Sequence, residues 1–105
     1  MLTRDTIPPE LLADVKNYLN ITWDDVSTDA LVCGYIAAAS AYLDGKIGGG
    51  PDYAKDGLPR TLLMEHCRYQ RDSALDVFEN NYRALILGAQ NERLEVAQDG
   101  VVETV

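Results

Sequence analysis

Basic residues are scarce in this chain: nine Lys and Arg stand against 17 Asp and Glu, which gives a net charge of −8. Nucleic-acid affinity is built mainly from cationic side chains that displace counterions from phosphates, and anionic membrane surfaces recruit clustered basic residues. The charge balance therefore argues against a protein that binds nucleic acid or a membrane surface, unless the few arginines converge.

Residues that bind metals or act as nucleophiles are also few, with one histidine and two cysteines. They do not supply the four ligands of a structural zinc site. His66 and Cys67 are neighbours, but adjacent helical residues point about 100° apart, so they do not form the thiolate–imidazole pair of a cysteine nucleophile. His66 is interpreted as a residue of the helix surface. We predict no catalytic residue, no metal and no cofactor, and do not expect an enzyme.

Asp24, Asp25 and Asp29 form an acidic cluster, but they lack the alternating ligands and the central glycine of a calcium loop. Their side chains are of the type that accepts hydrogen bonds from the first N–H groups of a helix. We therefore interpret the cluster as helix capping, with the actual cap left open among Asp24, Asp25, Ser27 and Thr28. We expect the neighbouring Ile21 and Trp23 to fold back onto the core.

Long apolar runs are missing too. No run approaches the roughly 18 residues that span a bilayer, and the N-terminal "MLTRDTIPPE" lacks the apolar region of a signal peptide. We expect a soluble, intracellular protein without a membrane partner. Cys33 and Cys67 are interpreted as reduced core residues, although a disulfide between them stays open. The 105 residues, 47% of them hydrophobic, predict one domain over 1–105 with its core at about 8–94.

Helical periodicity is what the chain has in abundance. Four segments carry it: "PPELLADVKNYLN", "DALVCGYIAAASAYLDGKI", "GLPRTLLMEHCRYQRDSALDVFE" and "YRALILGAQNERLEV". They predict an all-α fold, a small bundle of about four helices, with one short N-terminal, two long central and one C-terminal helix. A Gly-rich loop joins helices two and three. Residues 95–105 are predicted to be an extended C-terminal tail, in which Asp99-Gly100 is a weak hairpin signal.

The second and third helices each show two faces. In the second helix, the predicted core face comprises Val32, Ile36, Ala39, Leu43 and Ile47. A second face of small residues, which we expect to be clasped by neighbours as well, comprises Gly34, Ala37, Ala38 and Ala41. The third helix is predicted to continue to Glu79, and its polar side comprises Thr61, Glu65, Arg68, Asp72, Asp76 and Glu79. One side of that helix is therefore core, and the other meets solvent or a partner.

The order of these segments resembles the small head–tail connector (adaptor) proteins of tailed bacteriophages and related prophages. The matching parts are "LLADVKNYLNITWDD", "ALVCGYIAAASAYLDGKIGG" and "GLPRTLLMEHCRYQRDSALDVFENNYRALI". The shared pattern is a short helix ending in a "YL-x-I" phrase, an acidic linker, a small-residue-rich helix ending in "AYLD", and a "PR-x-LL" helix after a variable loop. The resemblance covers roughly residues 10–90.

The resemblance implies a structural virion protein of the neck, made in the host cytoplasm, that assembles as a dodecameric ring beneath the portal. The ring extends the DNA channel and offers a docking surface to the stopper or tail-completion protein, and DNA passes through without specific binding. It implies that contacts between ring subunits involve Arg60, Arg68, Arg71, Asp72, Asp76 and Glu79. The variable loop, with residues 48–53, is then expected to face the channel or a partner.

Two further hypotheses complete the sequence-based interpretation. Residues Val101, Val102 and Val105 of the tail are candidates for docking on the portal or a neighbouring subunit, by addition to a sheet edge. The alternative to the connector is a small helical protein–protein interaction module, monomeric or dimeric, that binds a single protein partner. A ring requires two different faces of each subunit, whereas the alternative requires one.

Overall fold

The computed structural model describes residues 2–103, with side-chain surroundings for residues 2–94. Its helices are α1 (Pro9–Tyr18), α2 (Val26–Ile47), α3 (Leu58–Arg71) and α4 (Phe78–Glu103), and a 3-10 turn at Leu75–Val77 precedes α4. No strand occurs within 2–103. The all-α fold of four helices is confirmed.

The core lies along one face of α2. Its members Val32, Ile36, Ala39, Leu43 and Ile47 are all buried, which confirms the face predicted from the helical period. This face packs mainly on α3 and α4, and on α1 at the N-terminal side. Each fully buried Leu or Ile contributes about 1.5–3 kcal/mol relative to an exposed one, so α2 is the helix around which the others are arranged.

Helices α1 and α3 end in the same backbone motif. Asn20 after α1 and Ser73 after α3 have positive φ angles of 62° and 56°. In each case the next N–H reaches back five residues: Ile21 N donates to Lys16 O at 2.8 Å, and Ala74 N to Tyr69 O at 2.9 Å. These are Schellman caps, which stop a helix by satisfying its last carbonyls.

The third helix is therefore shorter than predicted. The periodicity of apolar residues favoured one helix to Glu79, but α3 ends at Arg71 and Phe78 already begins α4. The Ser73 cap separates them, and the 3-10 turn lets Phe78 return to the core, where it is 1% exposed. Apolar residues predicted to share one helix still contact each other across the cap, as Tyr69 does Phe78, but they belong to α3 and α4.

The extended tail predicted for residues 95–105 is wrong for 95–103, since α4 continues as a helix through Glu103. This helix includes Gly100, although glycine costs an α-helix about 1 kcal/mol relative to Ala. Val101 and Val102 lie on this helical backbone, a conformation that does not add to a sheet edge. Val105 lies outside the described residues.

The loop between α2 and α3 is tied to the bundle by Tyr53. Its ring is 3% exposed, and its hydroxyl donates to Asp44 Oδ1 at 2.7 Å. The expectation that 48–53 face a channel or partner is therefore wrong for Tyr53. The glycines are used for their backbone: Gly48, Gly49 and Gly50 all have positive φ, and the Arg93 guanidinium lies where a Gly49 side chain would begin.

Candidate subunit interface

The outer face of α2 is open in the single chain. Ala38 and Ala41 are exposed, Gly34 and Ala37 are half-buried, and Leu31 is 55% exposed. The nearest group to Gly34 among the described residues is the Arg4 guanidinium, about 3.1 Å from where a Cβ would lie. Within the described residues, α1, α3 and α4 cover the core face of α2, whereas the small-residue face is covered only in part and leaves Ala38 and Ala41 exposed. The predicted clasp on both sides is therefore incomplete within the chain.

The three candidate arginines make their contacts inside the chain. Arg60 Nη2 donates to Asp14 Oδ2 at 2.5 Å, which ties α3 to α1. Arg71 Nη1 donates to the carbonyl of Leu19 at 2.6 Å and so satisfies the C-terminus of α1. A carbonyl at a helix end carries partial negative charge, which a guanidinium stabilises. Both side chains hold α1 against α3.

Arg68 belongs to a polar cluster between α3 and α4. Its Nη2 donates to Glu65 Oε2 at 2.5 Å, and the hydroxyl of Tyr82 donates to the same oxygen. Glu65 was predicted on the polar side of α3 but is 8% exposed, because α4 covers it. Burial, followed by the Glu65 carboxylate, raises the pKa of Tyr82 to about 12. The cluster joins the two helices by charge-assisted hydrogen bonds.

The three candidate acids differ in what they contact. Asp72 accepts from Arg71 Nε at 3.1 Å. Glu79 accepts from the Tyr42 hydroxyl at 2.9 Å and pairs with Lys46, and the hydrogen bonds from Lys46 and then Tyr42 lower its pKa. Asp76 is exposed in the 3-10 turn and makes no ion pair with the described residues. Of the six candidates, Asp76 has its charge directed entirely to solvent.

His66 is a core residue, which corrects its assignment to the helix surface. It is 5% exposed, with its ring centroid 4.9 Å from that of Tyr42 and 4.8 Å from that of Phe78. Gln70 Nε2 donates to its Nδ1 at 3.0 Å, as it does to a neutral imidazole. Burial lowers the pKa of His66 to about 4.

The two cysteines are free, and Cys67 is fully buried. Burial raises the pKa of the Cys67 thiol to about 12, which keeps it in the unreactive thiol form. Among the described residues, no group of three His, Cys, Asp or Glu side chains is placed to hold a metal ion.

The acidic linker acts on Lys16 and on Trp23. Asp24 and Asp29 flank the buried ammonium of Lys16 at 2.8 and 2.7 Å, and the hydrogen bond with Asp24, then that with Asp29, raises the pKa of Lys16. Asp25 occupies the N-cap position of α2 without a side-chain bond to a helix N–H. The prediction is therefore correct for the position of Asp25 and wrong for side-chain capping, because Lys16 and the linker itself engage these carboxylates.

Trp23 does not fold onto the core as predicted, since 55% of it is exposed. Its indole Nε1 donates to Thr28 Oγ1 at 3.1 Å, and Thr28 Oγ1 donates in turn to Asp25 Oδ2 at 3.2 Å. The next residue, Val26, is 87% exposed. We call the residues Trp23–Val26 the linker knob: an aromatic and an aliphatic side chain presented to solvent beside two carboxylates.

A groove lies near the other end of α2, where α4 runs beside it. It has a volume of about 310 Å³ and is lined by Lys46, Glu79, Arg83, Ile86, Leu87 and Gln90. Gln90 Nε2 donates to the carbonyl of Lys46 at 2.8 Å and fixes the two helices at this point. Leu87 is 54% exposed at the rim. We call this the α2–α4 groove.

By length and composition, α2 alone among the described helices is apolar enough to cross a membrane, with a mean hydropathy of 1.3 in its most apolar window of 18 residues. The expectation that no apolar stretch approaches this length is therefore wrong. Core helices of soluble proteins share this property. Comparison with protein-family models, with curated proteins and with solved structures finds no match to this chain.

Proposed function

We propose that this protein is a structural subunit that assembles into a ring, in the role of a phage head–tail connector beneath the portal. The observation that carries the proposal is the outer face of α2. A helix that is apolar on every side belongs in an interior, yet only 28% of its most apolar 18-residue window is buried within the chain. A second protein surface over Leu31, Ala38 and Ala41 completes the burial.

The chemistry of this face favours a close helix contact. Small side chains at Gly34, Ala37, Ala38 and Ala41 let another backbone approach, and Leu31 adds an aliphatic side chain at the edge. Contiguous exposed apolar surface of this kind marks protein interaction sites. Burial of each apolar Å² contributes about 25 cal/mol. This face would therefore contribute the hydrophobic part of the free energy of association.

The ordered sequence pattern supplies the particular role. The resemblance to connectors covers α1, α2, α3 and the start of α4, and it implies the portal above, the stopper or tail-completion protein below, and DNA passing through a channel. The net charge of −8 suits a channel wall that repels phosphate. Candidate contacts remain Arg60, Arg68, Arg71, Asp72, Asp76 and Glu79 at the ring seam, and Val101, Val102 and Val105 toward the portal or a neighbour.

The test is the mass of the complex formed when the protein is mixed with the portal protein of the same genome, measured by native mass spectrometry beside the protein alone. Stoichiometric, ring-sized addition to the portal is expected. If the protein is monomeric alone and does not bind the portal, the proposal fails. The protein would then be an interaction module for a different, single partner.

A matched pair of variants connects the result to the face. Ala38→Glu places a carboxylate on the outer face of α2, and Ala84→Glu places the same group on an exposed position of α4. Both substitutions keep a good helix former at a surface site. Ala38→Glu is expected to abolish ring-sized addition while Ala84→Glu retains it; equal assembly of the two variants would show that the face is not used.

A further inference from the structure

Trp23 is the only tryptophan of the chain, and the fold presents it outward. An indole has only two side-chain torsions to order on binding, and here the hydrogen bond to Thr28 Oγ1, itself bonded to Asp25, restrains the ring before any partner is bound. Pre-ordered aromatic side chains are the usual anchors of protein interfaces, because their rotamer entropy is lost before binding. The linker knob therefore has the properties of an interface anchor.

The α2–α4 groove has the complementary properties. Ile86 and Leu87 give it apolar walls, while Lys46 and Arg83 set two cations against the single carboxylate of Glu79. This local excess of positive charge stands out in a chain whose net charge is −8. A ligand with an indole, an aliphatic side chain and carboxylates matches it, since a guanidinium or ammonium binds both an indole face and a carboxylate.

We propose that the linker knob of one copy docks in the α2–α4 groove of the next copy. The occupant is chosen by charge complementarity. Lys16 pairs with Asp24 and Glu79 pairs with Lys46 inside the chain, so the charges left for the contact are the Asp25 carboxylate beside Trp23 and the Arg83 guanidinium at the groove. The inference rests on the proposed ring assembly, because it names the seam between neighbouring subunits.

The positions of the two surfaces make the contact head-to-tail. The knob lies at the N-terminal end of α2 and the groove near its C-terminal end, and the 22 residues of α2 separate them by about 30 Å at 1.5 Å per residue. A contact between two different patches is heterologous. It leaves one free knob and one free groove on every pair, so that further copies add until the ring closes.

Two surface variants separate the halves of the contact. Trp23→Ala removes the knob and keeps the groove, and Leu87→Glu spoils the groove and keeps the knob. Circular dichroism checks that each retains its helices. Each variant alone is expected to self-associate about 30-fold more weakly than the wild type, the effect of losing an interface hot spot.

Mixing the variants tests the geometry directly. The Leu87→Glu protein contains the only tryptophan in the mixture, so titrating it with Trp23→Ala protein, up to about 1 mM to register weak contacts, reports on one knob in one groove. A blue shift of the Trp23 emission that saturates at a ratio of one to one is expected. The double variant Trp23→Ala/Leu87→Glu, used as titrant, is expected to cause none, and Arg83→Asp in the Trp23→Ala background weakens the shift.

An unchanged emission in the first titration overturns the inference, as does an equal shift with the double variant. A Trp23 shift that appears only when portal protein is added, and is equal with the double variant as titrant, overturns it too, because the knob then docks on the portal. The outcome is separable from that of the proposed function. Ring-sized addition to the portal without the titration shift would support the connector proposal and refute the knob–groove contact. The titration shift without portal binding would support the head-to-tail contact and refute the connector proposal.

Discussion

The buried histidine makes the stability of this fold depend on pH in a specific window. His66 is neutral in the folded protein, since burial between Tyr42 and Phe78 lowers its pKa to about 4, whereas an unfolded histidine has a pKa of about 6.5. Between about pH 4 and pH 6.5, the histidine is protonated in the unfolded chain but not in the folded protein. The free energy of unfolding is therefore fully present above about pH 6.5 and falls as the pH drops toward about 4.

The size of the effect follows from the two pKa values. One pKa unit corresponds to about 1.4 kcal/mol, so the full difference is about 3 kcal/mol, of which about 2 kcal/mol is lost between about pH 7 and pH 5. Tyr42, the titratable residue that faces the imidazole from α2, has its pKa raised to about 12 and does not titrate there. A loss of this size is a large part of the 5–15 kcal/mol typical of a domain.

Urea unfolding at a series of pH values measures the loss, with His66→Gln as the control. Glutamine keeps a polar side chain of similar reach but does not titrate, and every carboxylate is the same in both proteins. The wild type is expected to lose about 2 kcal/mol more than the variant between about pH 7 and pH 5. Parallel pH profiles of the two proteins would refute the assignment of His66 as a buried, neutral residue.

Three other substitutions have definite expected effects on stability. In urea titrations, Phe78→Ala should lower the free energy of unfolding by about 3–5 kcal/mol, and Phe78→Leu should lower it clearly less. A loss under about 1 kcal/mol for Phe78→Ala would contradict the central place of Phe78 in the core. Ser73→Gly should raise the melting temperature slightly, by the equivalent of about 0.5–1 kcal/mol, because glycine adopts positive φ without strain; a lower melting temperature would argue against the cap. Tyr53→Phe should cost about 1 kcal/mol by removing the hydrogen bond to Asp44, and an unchanged unfolding midpoint would show that this bond does not tie down the loop.

The part of the fold that the sequence predicts best is the core face of α2. The spacing of three and four residues places one apolar set on a single face of a helix: Val32, Ile36, Ala39 and Leu43. The glycines that follow mark the end of the helix. The end of α3 carries no comparable signal. Serine is not the usual residue for positive φ, so the Ser73 cap depends on the tertiary return of Phe78 to the core, which a local pattern does not contain.

Positions that change sides between prediction and structure cluster in the middle of α3. His66 and Glu65 look like surface residues because a helix packed on one side buries a single stripe. In the fold α3 contacts α1, α2 and α4, and its residues from Leu62 to Cys67 are all buried. Periodicity indicates the direction of one neighbour but not how many neighbours surround a helix, so the buried arc was underestimated.

The candidate interface shows the same limit for charge. Arginines near acidic residues in a sequence are consistent with a subunit seam, but Arg60 and Arg71 are satisfied by Asp14 and by the carbonyl of Leu19, which are far away along the chain. The sequence predicts that Trp23 folds onto the core, whereas the structure leaves it 55% exposed. In the structure its indole N–H donates to Thr28 at the surface, and a hydroxyl five residues away is too weak a signal to predict that contact.

Because the arginines form their hydrogen bonds within the chain, a seam between subunits has to be stabilised by other groups. For the Arg71 Nη1 to bind a neighbour, it would have to release the carbonyl of Leu19, and a buried acceptor left without a partner costs about 1–3 kcal/mol. An exposed ion pair formed in exchange returns only about 0–1 kcal/mol. Apolar burial on α2 and a pre-ordered Trp23 carry no such cost. Association is therefore expected to draw its free energy from these surfaces, with solvent-directed charges such as Asp76 and Arg83 selecting the register.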